Sequence, residues 1–118
     1  MSDITRIDPG PRMSGAVVHN DTVYVSGQVA LDAGGESVTA QTNNILSRID
    51  ALLAKAGTDK TRLLAASIWL TDIATFAEFN AVWDAWVATG ATPARATVES
   101  KLAAPQFTVE IAVIAAVR

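Results

Sequence analysis

The sequence predicts an α+β domain in which two amphipathic helices cover one face of a mixed β-sheet. Three observations carry that expectation. Apolar residues recur at intervals of two, then three and four, then two again along the chain. Glycine, proline and asparagine gather where the interval changes. The resulting order of strand, strand pair, helix, strand, helix, strand, strand packs most simply as two layers.

Each element has its own reason. Ile4 to Ile7 alternates weakly and runs into "DPGPRMSG", a turn-rich stretch with two prolines and two glycines. In "AVVHNDTVYVSGQVAL", Asn20-Asp21 stands between two β-branched runs, which marks a hairpin. "DAGGES" is a loop. From Thr39 the residues Ile45, Ile49, Leu52, Leu53 and Ala56 follow helical spacing, with Thr39, Thr42 and Asn43 as a capped start and Gly57 as the stop. "RLLAASIWLTD" is apolar nearly throughout and reads as a strand buried on both faces. Phe76, Phe79, Val82, Trp83 and Trp86 restore the helical interval up to Gly90. Beyond Pro93, "ARATVES" and "FTVEIAVIAAV" close the chain as strands. The short "KLAAPQ" between them predicts antiparallel neighbours.

The totals bound the function classes. A chain of 118 residues, half of them hydrophobic and 18% charged, is expected to form one domain over residues 1–118. Its mean hydropathy of +0.28 is high for a small monomer, so apolar area is expected in subunit contacts. The net charge of −3, with nine basic residues scattered singly, argues against a nucleic-acid partner. The absence of cysteine excludes disulfides, thiolate metal sites and a cysteine nucleophile. The longest apolar run, "IAVIAAV", has 7 residues, far short of a membrane span. The N-terminus has no apolar core and no basic leader, so a cytoplasmic location is expected.

Three charges stand on apolar strands. Alternation puts Arg95, Thr97 and Glu99 on one face of their strand, and Thr108, Glu110, Ala112 and Ile114 together on theirs. Were the two strands neighbours, Arg95 and Glu110 would look out of the same side of the sheet, away from the helices. They then serve either as a surface or interface ion pair or as an anion pocket. In the pocket, arginine's planar fork takes a carboxylate and a glutamate handles a water. Spacing alone leaves both readings open.

Four segments, "SGQVAL", "FAEFNAVWDAWV", "TPARATVE" and "FTVEIAVIA", together resemble the RidA (YjgF/YER057c/UK114) family, in family order and spacing over nearly the whole chain. The resemblance implies a chorismate-mutase-like α+β fold, a homotrimer with ligand clefts between subunits, and no cofactor or metal. It also implies hydrolysis of reactive imines and enamines, such as 2-aminoacrylate, to 2-keto acids and ammonia. Residue by residue, "TPAR" matches the family's arginine motif at Arg95, "VEI" matches its glutamate at Glu110, and "FNAVW" matches its asparagine at Asn80. "SGQ" matches the cleft-lining Ser26, Gly27 and Gln28. Under that resemblance Arg95 anchors a small-molecule carboxylate, while Glu110, with backbone near Thr97, orients the attacking water. Binding of a keto or imino acid without turnover, as in a sensor or a chaperone-like partner, is the alternative, as is a degradative deaminase acting on a larger acidic imine.

Two positions depart from the family pattern. Arg12 follows Gly-Pro where a tyrosine is usual, and Thr97 stands where a cysteine is usual. Arg12 in the cleft would add a second cation and favour a dicarboxylic or larger acidic imine; otherwise it is a solvated loop residue. Other polar residues carry less. The single histidine, His19, falls in the hairpin turn and is expected to be exposed. No carboxylate cluster fits a metal, and "SGQ" lacks the histidine of a serine hydrolase. Trp69, Trp83 and Trp86 read as core or interface packing, with one flanking the cleft. Glu99 is expected to be structural or a surface charge.

Overall fold

The computed structural model describes residues 3–118. Six strands form one sheet: β1 (Ile4–Pro9), β2 (Ser14–His19), β3 (Thr22–Val29), β4 (Leu63–Leu70), β5 (Ala94–Glu99) and β6 (Val109–Ala116). Two helices, α1 (Val38–Lys55) and α2 (Phe76–Trp86), interrupt the strands in the order expected. Across the sheet the order is β1-β2-β3-β6-β4-β5, and all neighbours are antiparallel except β4 and β5.

The expected pairing of the last two strands is overturned. β6 inserts between β3 and β4, while β5 lies parallel to β4 at the sheet edge. Two physical reasons combine. Strand β6 buries every second residue fully or nearly so, from Val109 to Ala115, which suits a central position. Strand β5 is short, follows a proline and carries two charges, which suits an edge. Parallel pairing needs a crossover, and α2 supplies it.

Local chemistry fixes the boundaries. Asn20 adopts a left-handed backbone (φ +56°) in the two-residue turn joining His19 to Thr22. Helix α1 is capped by Ser37, whose hydroxyl accepts from Ala40 N, and so begins one residue before the expected Thr39. Thr39 instead meets Glu78 of α2 through both its amide and its hydroxyl. Gly57, at φ +82°, ends α1: its amide reaches Ala54 O while Thr58 N reaches Leu53 O. Helix α2 stops at Trp86, before Gly90, because Val87 is already extended. Among the described residues no helix is long and apolar enough to cross a membrane.

Both helices pack into one core. Ile45, Ile49 and Leu53 of α1 and Phe79 and Trp83 of α2 join Val23, Ala66, Ile68, Leu70, Ile111 and Val113 from the sheet. The opposite sheet face has no helix. Strand β4 is therefore buried on one side only, with Leu64 about half exposed, against the expectation of burial on both. Paired rows on this open face run Val17–Tyr24–Ile114–Ala65–Ala94 and Val29–Glu110–Trp69–Val98. It is a mostly apolar surface of aliphatic and aromatic side chains, Tyr24 and Trp69 among them, around one carboxylate, with the exposed Arg6 at the β1 edge opposite Val17.

One buried polar side chain holds two loops to α1. Gln41 is fully buried; its amide nitrogen donates to Glu36 O and Gln106 O, and its oxygen accepts from Thr108 N, all at 2.9–3.0 Å. Replacement by an isosteric hydrocarbon would leave Glu36 O and Thr108 N without that partner, each costing about 1–3 kcal/mol, while Gln106 O keeps its bond from Gly35 N. Gln41→Leu is therefore expected to lower the urea midpoint by the equivalent of about 3 kcal/mol at unchanged m-value and fixed protein concentration. A shift below about 0.5 kcal/mol would show that solvent replaces these bonds.

Candidate functional site

Arg95 and Glu110 occupy opposite faces of the sheet. Arg95 pairs with Ala66, which is buried beneath the helices, so its side chain rises on the helix side of edge strand β5. Glu110 pairs with Val29 and Trp69 and lies on the open face. The expectation that both look out of one side is thus corrected. It followed from the false pairing of their strands. No ion pair joins Arg95 to Glu110 or Glu99 among the described residues.

The arginine is held by α2. Its Nη1 donates to Asn80 Oδ1 at 2.9 Å. Its guanidinium carbon lies 5.4 Å from the Trp83 ring centroid, 5.6 Å from Phe76 and 5.9 Å from Phe79. Aromatic faces attract a cation without consuming its N–H donors. The guanidinium is thereby fixed while most of its fork stays open to an anion. Thr97, two residues on, shares this face; its hydroxyl is buried and has no hydrogen-bond partner in the structure. Glu99 accepts from Ile73 N at 3.0 Å and ties the end of β5 to the turn before α2, a structural role.

Glu110 sits beside a β-bulge. The register of β3 against β6 shifts between Val25 and Gln28, so Ser26 and Gly27 oppose a single residue, Ala112. A Cβ on Gly27 would collide with Glu110 Oε2, so the carboxylate occupies the space that only glycine leaves. The half-buried carboxylate gains no hydrogen bond there. Burial holds its pKa above the ordinary glutamate value.

The other predicted residues fall around these two centres. Ser26 Oγ donates to Ser14 O at 2.6 Å. Gln28 faces the helices: its Nε2 donates to Ser26 O, and its Oε1 accepts from Arg48 Nε at 3.3 Å. Ser26, Gly27 and Gln28 line a cavity of about 490 Å³ between α1 and the β2–β3 hairpin, whose wall includes Arg48 and Lys55 but neither Arg95 nor Glu110. Arg12 is exposed in the β1–β2 turn and lies outside that wall. His19 is exposed at the hairpin turn. Trp83 flanks Arg95, Trp86 donates to Asp50 Oδ2 with Lys60 5.2 Å above its ring, and Trp69 is half-buried beside Glu110.

One chain therefore brings together Arg95 with Asn80, and Glu110 with Gly27, but not the two pairs with each other. The sequence reading missed Arg48 and Gln41. Arg48 lies one turn before Leu52 at the margin of the apolar stripe, where a lone cation on an amphipathic helix reads as solvated.

Comparison with known proteins agrees with this architecture. A family model described as endoribonuclease L-PSP matches residues 4–117. RutC family protein YoaB of Escherichia coli K12 is 45% identical over 115 residues, covering 97% of this chain and 98% of that protein. A RutC family protein of Haemophilus ducreyi is 43% identical over 114 residues, 97% of each chain. The crystal structure of NMB1025, a YjgF-family protein of Neisseria meningitidis, superposes with a TM-score of 0.95 at 46% identity, covering 98% of this chain and 96% of that one. With its mixed sheet, two helices and near-complete coverage by these relatives, the chain belongs to the YjgF/RidA family.

Proposed function

We propose that the protein hydrolyses reactive 2-imino and enamine acids, of the 2-aminoacrylate and 2-iminopropionate type, to 2-keto acids and ammonia. The observation that carries this reading is the pair of prepared groups. One is a guanidinium fixed by Asn80 and three aromatic rings, and the other a carboxylate with a raised pKa lodged against Gly27. The first suits a substrate carboxylate and the second a proton-transferring water.

The chemistry asks for little more. Water adds to the electrophilic C2 of the iminium, and Glu110 takes one of its protons. That proton returns to nitrogen; the C–N bond then breaks as the emptied Glu110 carboxylate takes the proton of the new hydroxyl, so the carbonyl forms, and the proton passes on to the departing ammonia. Arg95 holds the carboxylate so that water attacks from about 3–3.5 Å, and backbone near Thr97 helps place it.

Because Arg95 and Glu110 face opposite ways, a complete site calls for two copies of the chain. The apolar open face around Glu110 is the surface that a second copy would cover, which supports a homotrimer with clefts between subunits. A relative in Lactococcus lactis, 31% identical over 114 residues, is named a putative regulator, which favours binding without turnover as the second reading. The family description names an endoribonuclease, but a net charge of −3 without a basic stripe makes phosphate tracking the weakest reading.

Imines generated in situ by an amino-acid oxidase and trapped as semicarbazones separate these readings. Wild type is expected to lower the trapped imine. Arg95→Ala and Glu110→Gln are each expected to lose about 10²–10⁴-fold of that rate. Tight keto-acid binding with no effect on any imine would establish the sensor instead.

Mixing the two inactive variants tests where the groups meet. If each cleft takes Arg95 from one subunit and Glu110 from another, random reassembly restores about a quarter of wild-type activity. No recovery after verified subunit exchange would place both groups in one chain.

The raised pKa of Glu110 has two consequences with definite signs. Its ionised form is the base, so kcat/KM is expected to rise with pH and level off above the ordinary glutamate range. In stability, the folded state holds this proton more tightly than the unfolded chain, whose glutamate titrates near 4.5. Stability therefore falls as pH rises from that value through the folded pKa. Glu110→Gln is expected to be more stable than wild type at neutral pH, with the difference vanishing below pH about 4. A constant difference across pH would remove desolvation as the cause.

A further inference from the structure

We propose that Trp69 is a positioning residue for Glu110: its indole, directly across the sheet from Glu110, confines the carboxylate against Gly27 and keeps water off its β4 flank. The inference rests on the imine-hydrolase reading and adds to it a residue that acts through Glu110 alone.

Trp69 has no structural task in the single chain. Trp83 stacks on Phe79 and packs against Trp86, and Trp86 donates to Asp50 Oδ2. Among the described residues Trp69 has no such ring neighbour or acceptor, and it stands outside the core that the helices cover. A large aromatic side chain half-buried on an open sheet face offers its area to the residues beside it. Its cross-strand partners are Glu110 on β6 and Val98 on β5. Directly opposed residues hold their Cβ atoms about 4.5–5.5 Å apart, well within the reach of an indole.

Glu110 is flanked unevenly. Toward β3 its Oε2 fills the space beside Gly27, where a Cβ would collide. Along its own strand the next residues on this face are Thr108 and the small Ala112. Toward β4 stand Trp69 directly opposite and Ser67 and Thr71 on the diagonals. Only the indole is large enough to wall off that side. Charge does not supply the same constraint. On β3 and β4 this face carries no acid or base nearer than the Tyr24 phenol, level with Ile114, four residues along β6. Arg6 and His19 lie farther out, on β1 and at the end of β2, and the proposed cleft would add Arg95 of a second copy. Burial alone raises the Glu110 pKa, in keeping with these neutral neighbours.

The test compares Trp69→Ala, Trp69→Phe and Val98→Ala with wild type, each checked for the same assembly state. Glu110 is titrated by carboxyl-carbon NMR, its signal assigned by its loss in Glu110→Gln. Trp69→Ala is expected to move the titration midpoint down, toward that of an unburied glutamate, because water then reaches the β4 flank. Phenylalanine keeps an apolar ring there and should hold the midpoint near the wild-type value. Val98→Ala, one strand farther away, should leave it unmoved. With imines as substrates, Trp69→Ala is expected to lose about tenfold in kcat at nearly unchanged KM, and the acid limb of its kcat/KM profile to shift to lower pH. A midpoint that stays put in Trp69→Ala overturns the proposal. An equal fall in Val98→Ala also overturns it, since the effect would then belong to the cover of the whole face. Should alanine prevent assembly, Trp69→Leu is read in its place; a smaller downward shift is expected, and an unmoved midpoint is again fatal. A shifted midpoint without hydrolysis of any imine sustains the hold of Trp69 on Glu110, and only the hydrolase reading falls.

Discussion

Strand β6 hydrogen-bonds on both edges, to β3 and to β4, and sends Val109, Ile111, Val113 and Ala115 into the core. Strict alternation then forces Glu110 onto the other face, where no helix covers it. The same insertion leaves β5 only the far edge of β4, reached through α2. That crossover brings Arg95 beneath Asn80, Phe76 and Trp83. Where each functional group stands is thus a consequence of which strand occupies the middle of the sheet.

An apolar sheet face without helices is costly for a monomer, and a half-buried carboxylate in its midst adds to the cost. Both features make sense together if protein covers that face. Excluding water from the Glu110 side strengthens every electrostatic contact made there and supports a raised pKa. If the proposed cleft is assembled from two copies, neither α2 nor the Gly27 bulge needs to span the sheet. Each half holds its own group rigidly, with Asn80 and the aromatic rings on one side and a missing Cβ on the other.

Much of this was legible in the residues. The element order, the Asn20 turn and the Gly57 stop follow from periodicity and backbone preference, which act within a few residues. The family resemblance singled out Arg95 and Asn80 separately; the hydrogen bond between them is a finding of the structure. Strand pairing was not legible. "KLAAPQ" is short enough for a hairpin, and nothing local reveals that β6 instead inserts between β3 and β4. From that one error followed the wrong shared face for Arg95 and Glu110. Gln41 and Arg48 were hidden for a related reason. A polar residue on an amphipathic helix reads as solvated until the loops and strands that reach it are known.

The surroundings of Arg95 argue for an anchor over a structural ion pair. A structural arginine in this position would be expected to spend its fork on a carboxylate, and Glu99 is near enough in sequence to offer one. Glu99 is instead committed to Ile73 N, and Arg95 is steadied by rings and by one amide oxygen. Ring contacts hold the positive charge without neutralising it, and Asn80 engages a single nitrogen. The unused donors keep the geometry in which a planar carboxylate binds through two parallel hydrogen bonds. Substituting lysine would keep the charge but lose both the ring stacking and the fork, so under the proposed anchoring role shape matters as much as sign.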